Sequence, residues 1–151
     1  MTTTFENLSE LSNAIGTDLG PTEWLTVTQA MIDGFAAATG DDQWIHVDVE
    51  AAKAGPFGAT IAHGYLTMSL CAPFLAQLAL VRGISMGLNY GVNKARFITP
   101  VRSGSQVRAT GKVTEVTEVP GGVQAVVTIT VNIMGEDKPA AVIETVSRYL
   151  A

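Results

Sequence analysis

Apolar and polar positions alternate with different periods along this chain, and each period predicts a different element. Met31, Ile32, Phe35 and Ala36 recur at helical spacing. Residues 26–29 in front of them have the spacing of a capping box. Gly40 behind them suits the left-handed residue that ends a helix, so a helix of about ten residues is expected to stop directly before Asp41. Residues 64–81 pass eighteen positions without a charge, which predicts a long helix buried on nearly all sides. Pro73 lies within it and is expected to kink it.

The second half has period two. Val107, Ala109, Gly111 and Val113 alternate with Arg108, Thr110, Lys112 and Thr114. Val123, Ala125, Val127, Ile129, Val131 and Ile133 form a second such set, with Val126 alone out of phase. One apolar face at period two predicts an antiparallel sheet covered on one side. Pro120-Gly121-Gly122 and Gly135-Glu136-Asp137-Lys138 supply turns. Further strands are expected over 89–98 and about 140–150. The first thirty residues read as a short amphipathic piece carrying Phe5, Leu8, Leu11 and Ile15, then an irregular or extended stretch through Trp24 and Val27. Between residues 41 and 63 the pattern is broken, with one helical turn near 49–54, and long irregular connections are often functional. The sum is a single α+β domain over residues 1–151, with a long helix on one face of a curved antiparallel sheet.

Composition adds a partner to this picture. The chain is 47% hydrophobic and 15% charged, against about 25% charge in a typical domain, and its mean hydropathy is +0.28. The apolar surplus points to a second subunit. A net charge of −5 argues against nucleic acid as a partner. Cys71 is the single cysteine, so no internal disulfide forms, and residues 1–10 lack the basic start and apolar run of a signal peptide. Both features point to the cytoplasm. Residues 64–81 reach the lower length for a membrane span, but Thr67, Ser69, Pro73 and Gln77 interrupt them and no basic loop flanks them. No membrane insertion is expected.

The two histidines lie in or beside the irregular region. Asp41 and His46 are five residues apart, just after a helix end, where a turn would bring carboxylate and imidazole within reach of one water. That pair suits general acid–base chemistry. The alternative is a helix-terminal aspartate bonded to backbone and a histidine packed beside Trp44. Gly64 opens the long helix. Its N–H and the helix dipole suit an oxyanion, and its missing side chain would let a carbonyl approach; a glycine needed only for tight packing is the alternative. His63 is expected to order the loop by hydrogen bonding. Asp41, His46 and Asp48 offer metal ligands without a recognised spacing, so no metal is expected. Cys71, inside the apolar helix, reads as a buried inert thiol.

These residues carry a family resemblance. Residues 40–48, GDDQWIHVD, resemble the G-D-x-N-P-x-H-x-D motif of the MaoC-like, (R)-specific enoyl-CoA hydratases, the hydratase 2 family. Ile61-Ala62-His63-Gly64-Tyr65-Leu66 resembles that family's A-H-G helix start. Arg96-Phe97-Ile98-Thr99-Pro100-Val101-Arg102-Ser103-Gly104 resembles its R-F-x-x-P-V-x-x-G strand and turn. The resemblance implies a hot-dog fold, in which an antiparallel sheet wraps a long central helix, working as a homodimer. It implies reversible hydration of trans-2-enoyl-CoA to (3R)-3-hydroxyacyl-CoA. By position, Asp41 and His46 are the catalytic pair, and the Gly64 N–H is the oxyanion donor. Gln43, Trp44, His63 and Tyr65 are placed along the substrate. No bound cofactor is implied, since coenzyme A arrives as part of the substrate. Arg82, Lys94, Arg96 and Arg102 are candidates for its phosphates.

The chain departs from the pattern in two places. Gln43-Trp44 stands for the family's Asn-Pro, which keeps an amide but loosens the backbone and places a bulky ring beside the pocket. Ala72 stands where some members carry a serine. Trp44 and Pro73 together favour short to medium acyl chains. Hot-dog thioesterases and carrier-protein dehydratases share the architecture, and they resemble enzymes with an acidic residue on the central helix. Residues 64–81 contain no Asp or Glu, which favours the MaoC-like arrangement. A non-catalytic acyl-thioester-binding subunit is the remaining alternative.

Overall fold

The chain builds its sheet late and its site early. The computed structural model describes residues 1–151. Strand β1 (Thr3–Phe5), helix α1 (Leu8–Ser12) and strands β2 (Asp18–Leu19) and β3 (Leu25–Thr26) come first. Helices α2 (Gln29–Thr39), α3 (Trp44–Val47), α4 (Val49–Lys53), α5 (Gly64–Ser69) and α6 (Cys71–Leu78) follow. Strands β4 (Ala79–Val81), β5 (Met86–Phe97), β6 (Gln106–Val119), β7 (Gly122–Ile133) and β8 (Ala141–Leu150) complete the fold. The main sheet runs β2-β6-β7-β8-β5, with β3 also on β6, and its ladders are antiparallel. Strands β1 and β4 form a separate parallel pair.

The period-two pattern decides which face of the sheet is covered. Val107, Ala109 and Val113 of β6 are buried, as are Val127, Ile129 and Val131 opposite them. Phe74 and Leu78 of α6 join them in one continuous core. Thr114 has no partner in the ladder, because Val113 pairs with Val127 and Glu115 with Val126, which is a β-bulge. Val126, the residue out of phase, faces outward opposite Val146, and both are buried there. A cross-strand apolar pair stabilises the ladder from its outer side.

Several boundaries differ from the sequence pattern, each for a local reason. Helix α2 is capped by Thr28, whose hydroxyl accepts from the Met31 N–H at 3.2 Å, two residues later than residues 26–29 imply. Ile15 is exposed rather than part of an amphipathic face, because α1 ends at Ser12. The expected long helix is two. Pro73 has no N–H for the carbonyl of Ser69, and the helix divides at Leu70. It ends at Leu78, where Ala79 turns extended, and residues 79–81 pair with β1.

The helix is also not covered on all sides. Tyr65, Ser69, Ala72, Pro73, Ala76 and Gln77 are exposed. Strand β5, at the end of the sheet, pairs only with β8, and all twelve of its residues are exposed. The chain's own sheet therefore covers one side of the helix and leaves the side toward β5 open.

Candidate active site

The site begins where α2 ends. Gly40 takes the left-handed conformation (φ 81°) and its N–H donates to the Ala36 carbonyl, so the chain leaves the helix at Asp41. It then reverses through the single turn of α3, with the His46 N–H donating to the Gln43 carbonyl at 2.9 Å. That reversal brings the Asp41 carboxylate back toward the His46 ring. Asp48 plays no part there: its carboxylate caps α4 by accepting from the Ala51 N–H at 3.0 Å. The sequence pattern counted Asp48 among possible metal ligands, and the cap removes it from the cluster.

Three short segments are stitched together by main-chain bonds. The Ile61 N–H donates to the Ile45 carbonyl at 3.0 Å, and the Ala62 N–H to the Val101 carbonyl at 2.7 Å. The His46 Nδ1 lies 2.7 Å from the Ile61 carbonyl oxygen. A carbonyl only accepts, so Nδ1 carries a proton and Nε2 is the nitrogen left for another partner. Gln29 of α2 adds a bridge, its amide donating to the His46 carbonyl at 2.8 Å and accepting from the Thr60 hydroxyl at 2.6 Å. No periodicity marks Gln29 for this role; it is one polar residue in a helical first turn.

His63 completes the cluster. Its Nε2 donates to the Asp41 main-chain carbonyl at 2.8 Å, and its ring stacks on His46 with centroids 3.9 Å apart and planes 26° from parallel. One ligand atom from each of Asp41, His46 and His63 lies within 4.8 Å of the others. His46 and His63 are 6% and 2% exposed, while Asp41 reaches the surface. Such a cluster has the residue types of a metal site. His46 Nδ1 and His63 Nε2 are each engaged by a main-chain carbonyl, which leaves one ring nitrogen apiece. The same spacing suits a water bridged between carboxylate and imidazole, since two hydrogen bonds of about 2.8 Å span such a gap.

Gly64 stands beside this cluster at the start of α5, where no side chain caps the free N–H groups. A Cβ on Gly64 would lie 2.9 Å from the Phe97 ring, so close packing against β5 is itself a reason for glycine. Both roles assigned to Gly64 from sequence are compatible with its place. A hollow of about 200 Å³ adjoins it, walled by Thr67, Phe97, Pro100 and Val101, so the second and third sequence motifs meet there. Tyr65 is exposed and lies edge-on to Phe97, with centroids 6.2 Å apart. The Trp44 ring lies over Gly55 rather than beside the hollow, and Gln43 is exposed.

Two further hollows, of about 170 and 280 Å³, continue along the open side of α5 and α6. They share Ala72, Leu75, Asn89 and Ser147 and form one largely apolar cleft between the helix and β5. Burial pushes the Cys71 thiol on its wall up to about 11, so the thiol stays protonated at neutral pH and is no nucleophile. Burial likewise raises the Tyr149 phenol, offset in part by a bond with Ser147. No helix is long and apolar enough to cross a membrane.

The sheet and the broken central helix define a hot-dog protein, and comparison with known proteins places it within that class. The family described as MaoC like domain matches residues 10–134. The 3-hydroxyacyl-thioester dehydratase Z of Mycobacterium tuberculosis is 48% identical over 149 residues, covering 98% of this chain and 99% of its own. Nodulation protein N of Rhizobium leguminosarum bv. viciae is 44% identical over 138 residues, covering 89% of this chain and 85% of its own. Among solved structures, the (R)-hydratase from A. caviae superposes with a TM-score of 0.72 at 25% identity, covering 88% of this chain and 94% of that one. The chain belongs to the MaoC-like family and is a hydro-lyase.

Proposed function

We propose that this chain catalyses the reversible, (R)-specific hydration of trans-2-enoyl-CoA to (3R)-3-hydroxyacyl-CoA. The observation that carries the reading is a His46 imidazole oriented by the Ile61 carbonyl, with the Asp41 carboxylate within 4.8 Å of a ring nitrogen, a gap that one water can bridge. A water held between them gives up a proton as its oxygen adds to C3, and a proton is delivered to C2 on the same face. Asp41 and His46 share that proton load. The negative charge that develops on the thioester carbonyl is met by the Gly64 N–H at the uncapped helix start. Written this way the reaction needs no bound cofactor, and coenzyme A enters as part of the substrate. Of the four basic candidates for its phosphates, Arg82 pairs with Glu6 and Arg102 donates to the Phe57 carbonyl, which favours Lys94 and Arg96.

The apolar cleft along α6 is read as the acyl site. Trp44 packs on Gly55 and no longer narrows it, so the preference for short to medium chains rests on the cleft's own walls and the break before Pro73. Loss of enoyl absorbance across a chain-length series, with chiral analysis of the product, tests the function. Crotonyl and hexenoyl thioesters are expected to turn over and to give the (3R) alcohol. Turnover confined to long chains would overturn the length preference, and an (S) product the stereochemistry. Filling the cleft by Ala76→Phe should cut turnover of medium chains about tenfold or more while sparing crotonyl-CoA, the usual discrimination of a reshaped apolar pocket.

The working form is read as a cytoplasmic homodimer joined along β5. This strand offers a free edge, and Leu88, Tyr90 and Val92 on it are exposed. Natural sheets protect such edges, and a second copy would also cover the open side of the helix. Sedimentation at micromolar concentration should give about twice the 15.8 kDa chain mass. Leu88→Lys with Val92→Lys should shift it to the monomer. A well-behaved monomer in the unmutated protein would refute the dimer.

A further inference from the structure

We propose that His63 is a positioning residue that holds the Asp41–His46 pair in register and does not itself touch substrate. The proposal rests on the hydratase reading above. Asp41 sits in an exposed loop directly after the helix end. Its own N–H reaches only the Thr39 hydroxyl, two residues back, at 3.4 Å. The bond from His63 Nε2 to its carbonyl, at 2.8 Å, is the one hydrogen bond that ties Asp41 to a distant part of the chain. The same imidazole stacks on His46 at 3.9 Å and leans on Phe35 of α2 at 4.8 Å. One side chain thus contacts both members of the pair, one through its N–H and the other through its face.

The chemistry of the other nitrogen argues that this role is selected rather than incidental. His63 Nδ1 is buried and has no hydrogen-bond partner. An unpartnered buried polar atom is unfavourable, and a phenyl ring would fill the space between Phe35 and His46 without it. An imidazole there is explained by the one thing a phenyl ring lacks, an N–H for the Asp41 carbonyl. Because that carbonyl accepts only, His63 carries a proton on Nε2. The resemblance placed His63 along the substrate, while its residue type led to the expectation that it orders the loop by hydrogen bonding; its burial and its bond to Asp41 favour the second.

The test is a mutant cycle with an independent spectroscopic arm. His63→Phe keeps the ring and removes the N–H. It should lower kcat on crotonyl-CoA about tenfold to a hundredfold, the scale expected for a misplaced reacting group, with KM changed less than about threefold. His63→Gln, which can donate at similar reach, should recover part of the loss. In an Asp41→Asn background His63→Phe should cost nothing further. Full activity in folded His63→Phe, an equal loss in the Asp41→Asn background, or an effect on KM alone would overturn the proposal. Should His63→Phe not fold, ¹⁵N NMR of labelled histidine in the unmutated protein decides the tether. His63 must be protonated at Nε2, and an unprotonated Nε2 refutes it. An unmutated protein that does not hydrate enoyl thioesters would sink the reaction reading instead, and the NMR result would still decide the bond to Asp41.

Discussion

Asp41→Asn and His46→Gln are each expected to remove most of kcat on crotonyl-CoA, by roughly 10²–10⁴-fold, the range for a positioned acid–base group. That is about 3–5 kcal/mol of transition-state stabilisation. Because both groups work on one water in one transition state, the losses should not add, and the double variant should be little worse than the poorer single one. Neither change opens a large cavity. Asp41 is exposed, and His46→Gln gives up one bond, to the Ile61 carbonyl, worth about 1 kcal/mol. Circular dichroism and thermal unfolding should therefore report a folded protein. Asp42→Asn, one residue away, is the control and should cost far less. Folded single variants that keep near-normal turnover would rule out the acid–base mechanism, whatever the fold.

Phe74→Ala should produce the reverse pattern, a large loss of stability with the chemistry intact. Phe74 is 1% exposed, among the largest of the fully buried side chains, and belongs to the core between α6 and the sheet. Truncating such a residue costs about 3–5 kcal/mol, through lost transfer energy and the cavity left behind. At about 2–4 °C per kcal/mol for a domain of this size, the unfolding midpoint should fall by about 6 °C or more. Phe74 lines neither hollow of the acyl cleft, so turnover well below the midpoint should stay within a few-fold of normal. A midpoint unchanged within error would mean that α6 is not packed as described.

The sequence made the sheet legible because period-two alternation needs only one covered face, and Val107 to Val113 and Val123 to Ile133 both have it. The helix end at Gly40 was equally readable, since few residues accept that conformation. The central helix was harder. Its eighteen uncharged residues imply burial all round, yet the single chain leaves the side of Ala72 and Ala76 open, because apolar pattern records that a surface is covered but not by whose atoms. At the site, residue type and spacing singled out Asp41, His46 and Gly64 as candidates beside a packing alternative for each, and the family resemblance supplied their roles. The tie between Asp41 and His63 was not legible, because its acceptor is a main-chain carbonyl that every residue possesses. The place of Trp44 against Gly55 was hidden for a related reason: a ring's direction depends on a neighbour distant in pattern though near in space.

Both imidazoles at the site are oriented by main-chain oxygens, His46 by Ile61 and His63 by Asp41. Side chains at position 61 can therefore be exchanged for others of similar bulk with little effect on the chemistry, as long as the backbone keeps its path. A change in loop length is another matter. Adding or removing one residue between His46 and Ile61 would present a different carbonyl to Nδ1 or none at all. Lengthening the stretch from Asp41 to His46 would carry the carboxylate away from the ring. The site tolerates change in the letters of this segment far better than change in their number.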